Sequence, residues 1–203
     1  ALALGFIIPF GILFIVFLLD NKVHTRKDVE SVVKAPILGD IPKSKSLKKV
    51  VISDNDRDST AESFRLLRTN VNFMLSGVKE NTKTIFISST LGNEGKTFIA
   101  INLASVLALT NKKVLLVGAD LRNPQVHALL GIERGNLGLS TFLNDVNYND
   151  LDKLIVKGKS IDEIDYLLSG AIPPNPSELL PTKTSRLRCL PKRILLPNIG
   201  PQI

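Results

Sequence analysis

A short apolar run, a glycine-containing loop and an apolar helical segment, in that order, constrain this sequence more than any other feature. Residues 85–87 read Ile-Phe-Ile, residues 88–95 read Ser-Ser-Thr-Leu-Gly-Asn-Glu-Gly, and Lys96-Thr97 begin a segment with apolar residues at helical spacing. This order is typical of a strand, a phosphate-binding loop and a helix. The glycines let the loop turn its backbone N–H groups inward, and the positive end of the helix dipole favours an anion at the same point.

The residue types in this loop suit a nucleotide bound with Mg²⁺. Lys96 is expected to reach the β- and γ-phosphates, and the Thr97 hydroxyl to hold the metal ion. The strict motif has an earlier glycine where this sequence has Thr90, and an ordinary turn with a surface lysine is the alternative. The strand before the loop and the helix after it favour nucleotide binding. The predicted nucleotide-binding residues are Gly92, Asn93, Glu94, Gly95, Lys96, Thr97 and Phe98.

A second candidate element lies at the end of the next apolar run. Residues 113–117 read Lys-Val-Leu-Leu-Val, which is typical of a buried parallel strand, and Gly118-Ala119-Asp120 follow. A carboxylate at the C-terminal end of such a strand faces the nucleotide crevice of a doubly wound sheet, where it serves Mg²⁺ chemistry. A helix cap ahead of Pro124 is the alternative role of Asp120.

The segment from Ala1 to Leu19 has no charged residue and approaches the roughly 20 apolar residues that cross a bilayer. A secretory signal and a buried core helix are the alternatives, but no basic stretch precedes the segment and no small-residue cleavage site follows it. The residues just after it are rich in lysine and arginine. By the positive-inside rule, we expect residues 20–203 to lie on the cytoplasmic side of the inner (plasma) membrane.

Charge and cysteine content narrow the function classes. The net charge is +7, but residues 181–203 contain five basic residues and no acid, so the excess does not indicate a nucleic-acid groove. No nucleic-acid partner is expected. One cysteine excludes an internal disulfide framework, and two distant histidines give no support to a Cys-His metal site.

An amphipathic helix is predicted from Thr60 onward. Its apolar stripe contains Phe64, Leu67, Val71 and Met74, and three charged residues spaced three apart lie off that stripe. These are Glu62, Arg65 and Arg68. They suit either salt bridges within the helix or an interface with a neighbouring subunit, and the spacing does not choose between the two.

The predicted fold class is α/β. We expect a P-loop NTPase-type doubly wound parallel sheet, incomplete at the C-terminus and preceded by one transmembrane helix. The predicted divisions are a transmembrane helix at 1–19, a juxtamembrane segment and linker at 20–58, a partial P-loop nucleotide-binding domain at 59–180, and a basic, proline-rich tail at 181–203.

Six segments, taken in order, resemble the cytoplasmic domain of the bacterial tyrosine kinases that are fused to polysaccharide co-polymerase, or chain-length-determinant, membrane proteins. The segments are PILGDIP (36–42), AESFRLLRTNVNF (61–73), SSTLGNEGKTFIAINLA (88–104), VLLVGADLRNP (114–124), GLSTFL (138–143) and LLSGAIPPNPSELL (167–180).

This resemblance implies an ATP-dependent protein-tyrosine autokinase that assembles as a homo-oligomeric ring. It also implies that the kinase regulates the chain length and export of capsular polysaccharide or exopolysaccharide, with the polymerisation and export machinery as its partner. The catalytic residues implied are Lys96, Asp120 and Arg122, the metal ligands are Thr97 and Asp120, and the ring interface is Glu62, Arg65 and Arg68.

The sequence departs from the family in three places. Gly118 stands where the first Walker A′ aspartate is usual, nothing after Leu180 resembles the Walker B strand, and the tyrosine-rich tail is missing. We therefore expect a truncated or frameshifted fragment that is inactive by itself. We also expect the strand at 85–87 to have an unpaired edge, because residues 194–196 are too short to form the neighbouring strand and are followed by Pro197.

Two other functions stay open. One is a partitioning-type P-loop ATPase, against which the apolar N-terminal segment argues. The other is a non-catalytic nucleotide-sensing module of the co-polymerase, which Gly118 and the missing Walker B strand favour.

Overall fold

The computed structural model describes residues 2–20, 22–23, 25–43, 58–80, 82–145, 150–158, 164–176, 178–179 and 194–197. The chain divides into two compact units, residues 1–37 and residues 38–203.

The first unit contains two helices, α1 (Leu2–Leu18) and α2 (Arg26–Val32). Helix α1 has 17 residues with Pro9 inside it, and the Asp28 carboxylate accepts the backbone N–H of Thr25 at the start of α2. Within the described part of the chain, no helix combines the length and the apolar content that crossing a membrane requires. The transmembrane helix predicted at 1–19 is therefore not supported.

The second unit is built on a five-stranded sheet with the order β1-β5-β2-β4-β3. Neighbouring strands are parallel except for β3, which pairs antiparallel to β4 at one edge. The α/β prediction is confirmed, but the sheet is mixed rather than wholly parallel. Its strands are β1 (Ile85–Ile87), β2 (Val114–Val117), β3 (Ile155–Lys157), β4 (Ile164–Leu167) and β5 (Ile194–Pro197), and its helices are α3 (Ser59–Met74), α4 (Lys96–Ala108), α5 (Val126–Leu130) and α6 (Leu139–Asn144). Short 3₁₀ turns lie at Leu75–Gly77 and Asp152–Leu154.

Strand β2 is covered on both faces. Val114 and Leu116 pack into a core with α3 and α4, whereas Leu115 and Val117 pack into a second core with α6. Successive side chains of a strand point to opposite faces, so a strand with helices on both sides must be apolar throughout. This arrangement confirms the buried parallel strand that the sequence predicts here.

Helix α3 buries most of its predicted apolar stripe. Phe64, Leu67 and Val71 are buried, but Met74, the last residue of the helix, is 52% exposed. The Asn70 side chain donates a hydrogen bond to the Leu38 carbonyl at 2.6 Å. Leu38 and Ile41 of the PILGDIP segment pack against the core of the second unit.

Strand β5 corrects the expectation that β1 has a bare edge. It lies between β1 and β2 and is parallel to both, with Leu195 opposite Ile85 on one side and Leu116 on the other. Because β1 has only three residues, a four-residue strand is long enough to pair with all of it. Pro197 lies opposite Ile87 at the end of the strand, beyond the two residues that pair with β2.

Candidate nucleotide-binding site

The loop between β1 and α4 has the backbone shape of a phosphate-binding loop. Asn93 and Gly95 adopt left-handed conformations, with φ of 64° and 89°. Gly95 immediately precedes α4, and a Cβ atom built at Gly95 or at Gly92 would meet nothing within 4 Å. The loop therefore presents open space to the N-terminal end of α4, where unpaired backbone N–H groups and the helix dipole attract an anion.

Hydrogen bonds within the loop fix its shape. The Glu94 carboxylate accepts the Leu91 N–H at 3.1 Å, and the Ser89 hydroxyl donates to the Leu91 carbonyl at 2.9 Å. Of the predicted nucleotide-binding residues, Glu94 therefore contributes a side chain that orders the loop. Phe98 lies in the first turn of α4, but its ring packs edge-on against Phe64 in the core, with a centroid distance of 5.8 Å.

Asp120 lies beside the loop lysine. Its Oδ2 atom is 3.5 Å from Lys96 Nζ, and the two side chains are 26% and 17% exposed. Its Oδ1 atom accepts the backbone N–H groups of Arg122 and Asn123, at 3.2 and 2.9 Å. One carboxylate oxygen thus orders the turn after β2 and the other faces the Lys96 ammonium. The bonded N–H groups belong to the turn and not to the start of α5, and the metal-binding role of Asp120 stays a prediction.

A shallow, solvent-open cleft joins these groups. It runs along the carboxyl edge of the sheet, from the start of α4 to the segment that follows β4. Its lining residues are Lys96, Thr97, Gly118, Asp120, Pro124, Gln125, Val126 and Ser169. Sequence reasoning missed Gln125 and Ser169. Ser169 could have been found, since it follows a strand whose carboxyl end lies at the same edge as Asp120.

The oxygen ligands that line the cleft suit Mg²⁺ only when a nucleotide supplies further ligands. Among the described residues, no group of three or more His, Cys, Asp or Glu side chains could hold a metal ion. Thr97 and Asp120 supply one hydroxyl and one carboxylate to the cleft. Mg²⁺ typically takes one or two carboxylates and completes its shell with phosphate oxygens and water, so these residues fit the metal complex of a nucleotide.

The remaining predicted site residues lie apart from the cleft lining. Arg122 is exposed in the turn after β2. On α3, the Arg65 guanidinium and the Glu62 carboxylate form a salt bridge at 3.0 Å, and the Arg68 guanidinium donates to the Val106 carbonyl of α4 at 3.4 Å. The salt bridge within the helix is thus present, and the interface role of these three residues stays a prediction.

Comparisons with known proteins agree with this geometry. Residues 85–165 match the CbiA family, the CobQ/CobB/MinD/ParA nucleotide binding domain. A putative tyrosine-protein kinase in the cps region of Klebsiella pneumoniae is 33% identical over 196 residues, which are 88% of this chain and 26% of that protein. Tyrosine-protein kinase YwqD of Bacillus subtilis (strain 168) is 36% identical over 140 residues, which are 69% of this chain and 56% of that protein.

A solved structure gives the same result. The kinase domain of the Escherichia coli tyrosine kinase ETK has a TM-score of 0.70 and 28% identity, with 87% of this chain and 73% of that structure covered. This chain is a homologue of the bacterial tyrosine kinase domain. This chain spans about a quarter of the length of the K. pneumoniae protein and just over half of the length of the B. subtilis protein.

Proposed function

We propose that this tyrosine kinase homologue binds ATP with Mg²⁺ and transfers the γ-phosphoryl group to protein tyrosines. The observation that carries the proposal is the approach of Lys96 Nζ to Asp120 Oδ2, 3.5 Å apart, in a cleft that begins at a left-handed phosphate loop. Support also comes from relatives that are named tyrosine-protein kinases.

Each residue has a part that follows from its chemistry. The backbone N–H groups at the start of α4 receive the phosphates, and the three N–H donors of the Lys96 ammonium serve both phosphate oxygens and the Asp120 carboxylate. Thr97 and Asp120 would hold Mg²⁺, which, when bound, offsets the negative charge of the phosphates. Phosphoryl transfer depends mainly on positioning and charge stabilisation, and the loop, Lys96 and Asp120 would supply both.

The phosphate acceptor is constrained by burial. Tyr166 lies on β4 with 4% exposure, so its hydroxyl is closed to a neighbouring active site in the folded protein. Tyr148 lies outside the described residues. We expect the phosphate acceptor to be a tyrosine other than Tyr166.

The proposed cellular role rests on the resemblance of the six sequence segments, taken together, to the bacterial tyrosine kinases. We propose that the kinase acts as a ring-forming autokinase, regulates the chain length and export of capsular polysaccharide or exopolysaccharide, and works with a co-polymerase. The Klebsiella relative, which is named for a cps region, supports this assignment. The inner-membrane location, with residues 20–203 on the cytoplasmic face, stays a prediction that cell fractionation tests.

Gly118 supports a second candidate, a nucleotide-sensing module without phosphoryl transfer. It lines the cleft without offering a carboxylate, and the four residues of β5, Ile-Leu-Leu-Pro, are all apolar. Asp120 is then the one carboxylate among the residues that line the cleft.

Labelling with γ-³²P-ATP separates these candidates. Purified wild-type protein and Lys96→Met are incubated with the labelled nucleotide and Mg²⁺, and phosphotyrosine is detected after acid hydrolysis. Labelled phosphotyrosine in the wild-type protein, but not in Lys96→Met, supports the kinase proposal. ATP binding without label supports the sensing module, and a wild-type protein that does not bind ATP overturns both.

A further inference from the structure

Ser169 lies at the same edge of the sheet as Gly118. Strands β2 and β4 are adjacent and parallel, with Val117 opposite Leu167, so the residues that follow them emerge side by side. The Gly118 N–H donates to the Leu167 carbonyl at 2.8 Å, and a Cβ atom built on Gly118 would lie 3.5 Å from the Ser169 nitrogen. Ser169 is therefore the polar residue next to the place where Gly118 offers no side chain.

The Ser169 hydroxyl is buried without a protein partner that the structure describes. The residue is 5% exposed and lines the cleft together with Lys96, Thr97 and Asp120. Its backbone carbonyl accepts the Ser140 N–H at 2.9 Å, but its hydroxyl forms no hydrogen bond to another residue in the described part of the chain. A buried hydroxyl that stays unpaired costs free energy, so a group that enters the cleft and pairs with it is stabilised.

We propose that the Ser169 hydroxyl binds an oxygen of the Mg-nucleotide in this cleft, an inference that rests on the proposed nucleotide binding. The oxygen belongs either to a phosphate or to a water molecule on the metal ion, and a hydroxyl suits both because it donates and accepts. With glycine at position 118, no side chain lies against the Ser169 backbone, where a Cβ atom would be 3.5 Å from the nitrogen. Ser169 thus supplies polar contact at the wall of the cleft where Gly118 supplies none.

The test compares Ser169→Ala with Ser140→Ala. Ser140 is also 5% exposed and is hydrogen-bonded to Ser169 through the backbone, but it does not line the cleft, so it is a matched control. Dissociation constants are measured by calorimetry for ATP with Mg²⁺ and for ATP with EDTA. We expect Ser169→Ala to weaken binding about 3- to 10-fold, as loss of one hydrogen bond does, and Ser140→Ala to leave it unchanged.

The two nucleotide conditions identify the oxygen. A loss in both conditions assigns the contact to a phosphate, and a loss with Mg²⁺ alone assigns it to a metal-bound water. Wild-type affinity in Ser169→Ala, or equal losses in both variants, overturns the role of Ser169. If the wild-type protein itself does not bind ATP, the proposed nucleotide binding fails as well.

Thermal unfolding without nucleotide guards against a purely structural effect. Because the variant removes a buried hydroxyl that has no described partner, Ser169→Ala is expected to melt at or above the wild-type temperature. A clearly lower melting temperature would show that the hydroxyl serves the fold, and this too overturns the inference.

Discussion

Lys96 Nζ lies 3.5 Å from Asp120 Oδ2, although the two residues follow different strands of the sheet. Lys96 begins α4 after the loop that leaves β1, and Asp120 lies in the turn after β2. Parallel strands carry both residues to the same edge, where the ammonium and the carboxylate face one cleft. The negative charge of Asp120 therefore partly neutralises the positive charge of Lys96 at the site.

Asp120→Asn should weaken the Mg²⁺ dependence of ATP binding while the fold is kept. The amide keeps an oxygen that can accept the Arg122 and Asn123 N–H groups, but it loses the negative charge that faces Lys96 and the metal ion. We expect the gain in affinity that Mg²⁺ gives to fall by about tenfold or more, since hydrogen bonds and contacts to charged groups are the stronger ones. Calorimetry with and without Mg²⁺ measures the effect.

Asp150→Asn is the control for that variant. Asp150 pairs with Lys153 at 2.9 Å and does not line the cleft. If both variants show the same Mg²⁺ dependence as the wild-type protein, Asp120 has no role in holding the metal complex.

Leu195→Pro should disrupt the second unit, because Leu195 lies in the middle of the sheet between Ile85 and Leu116. Proline removes a backbone N–H from a strand that is paired on both sides. We expect a loss of about 1–3 kcal/mol in the free energy of unfolding, measured with urea, because a buried backbone carbonyl is left without its hydrogen-bond donor. Pro197→Ala, at the end of the same strand, should be nearly neutral. Equal stability of Leu195→Pro and wild type would contradict the position of β5.

Alanine at Glu62 and Arg65 together should convert oligomers to monomers at little cost in stability. Their salt bridge is exposed on the Glu62 side, at 73%, and such pairs contribute only a few tenths of a kcal/mol. Light scattering measures the oligomeric state and urea unfolding the stability. Arg68→Ala is compared separately because Arg68 also contacts the Val106 carbonyl of α4. If the wild-type protein is monomeric at high concentration, the prediction that these residues form a subunit interface is wrong.

Stability should fall at high pH because of Tyr166. Burial raises the pKa of its phenol above the ordinary value of about 10. The unfolded chain therefore releases this proton at a lower pH than the folded protein, and stability that is present below pH 10 is lost as the pH rises through the folded pKa. Urea unfolding at pH 9 and pH 11 measures the loss. Tyr166→Phe should show a smaller loss, and an identical loss in both proteins would exclude this cause.

Local patterns predicted the elements of the site well. The strand, loop and helix from Ile85 onward depend on residues that are neighbours in sequence, and the approach of Asp120 to Lys96 follows from the common edge of parallel strands. Both could be inferred without coordinates. The sequence also predicted the buried apolar stripe of α3, apart from Met74 at its end.

Features set by distant pairing were missed. Strand β5 has four apolar residues and becomes a strand only because β1 and β2 supply backbone partners on both sides. The antiparallel edge strand β3 depends in the same way on β4. Ser169 lies in the cleft because β4 is parallel to β2 and in register with it, so its position follows from the pairing of two strands rather than from a motif in its own segment.

The affinity of Lys96→Met for Mg-ATP tests the central claim most directly. Methionine keeps most of the length of the lysine side chain but removes the ammonium that the phosphates need, so the fold should be retained. Lys112→Met, at a lysine that bonds the Asn72 side chain on the surface, is the matched control. Calorimetry should show ATP binding in the wild-type and Lys112→Met proteins and none in Lys96→Met. Unchanged affinity in Lys96→Met, with a wild-type unfolding curve, would contradict the assignment of this loop as the nucleotide site.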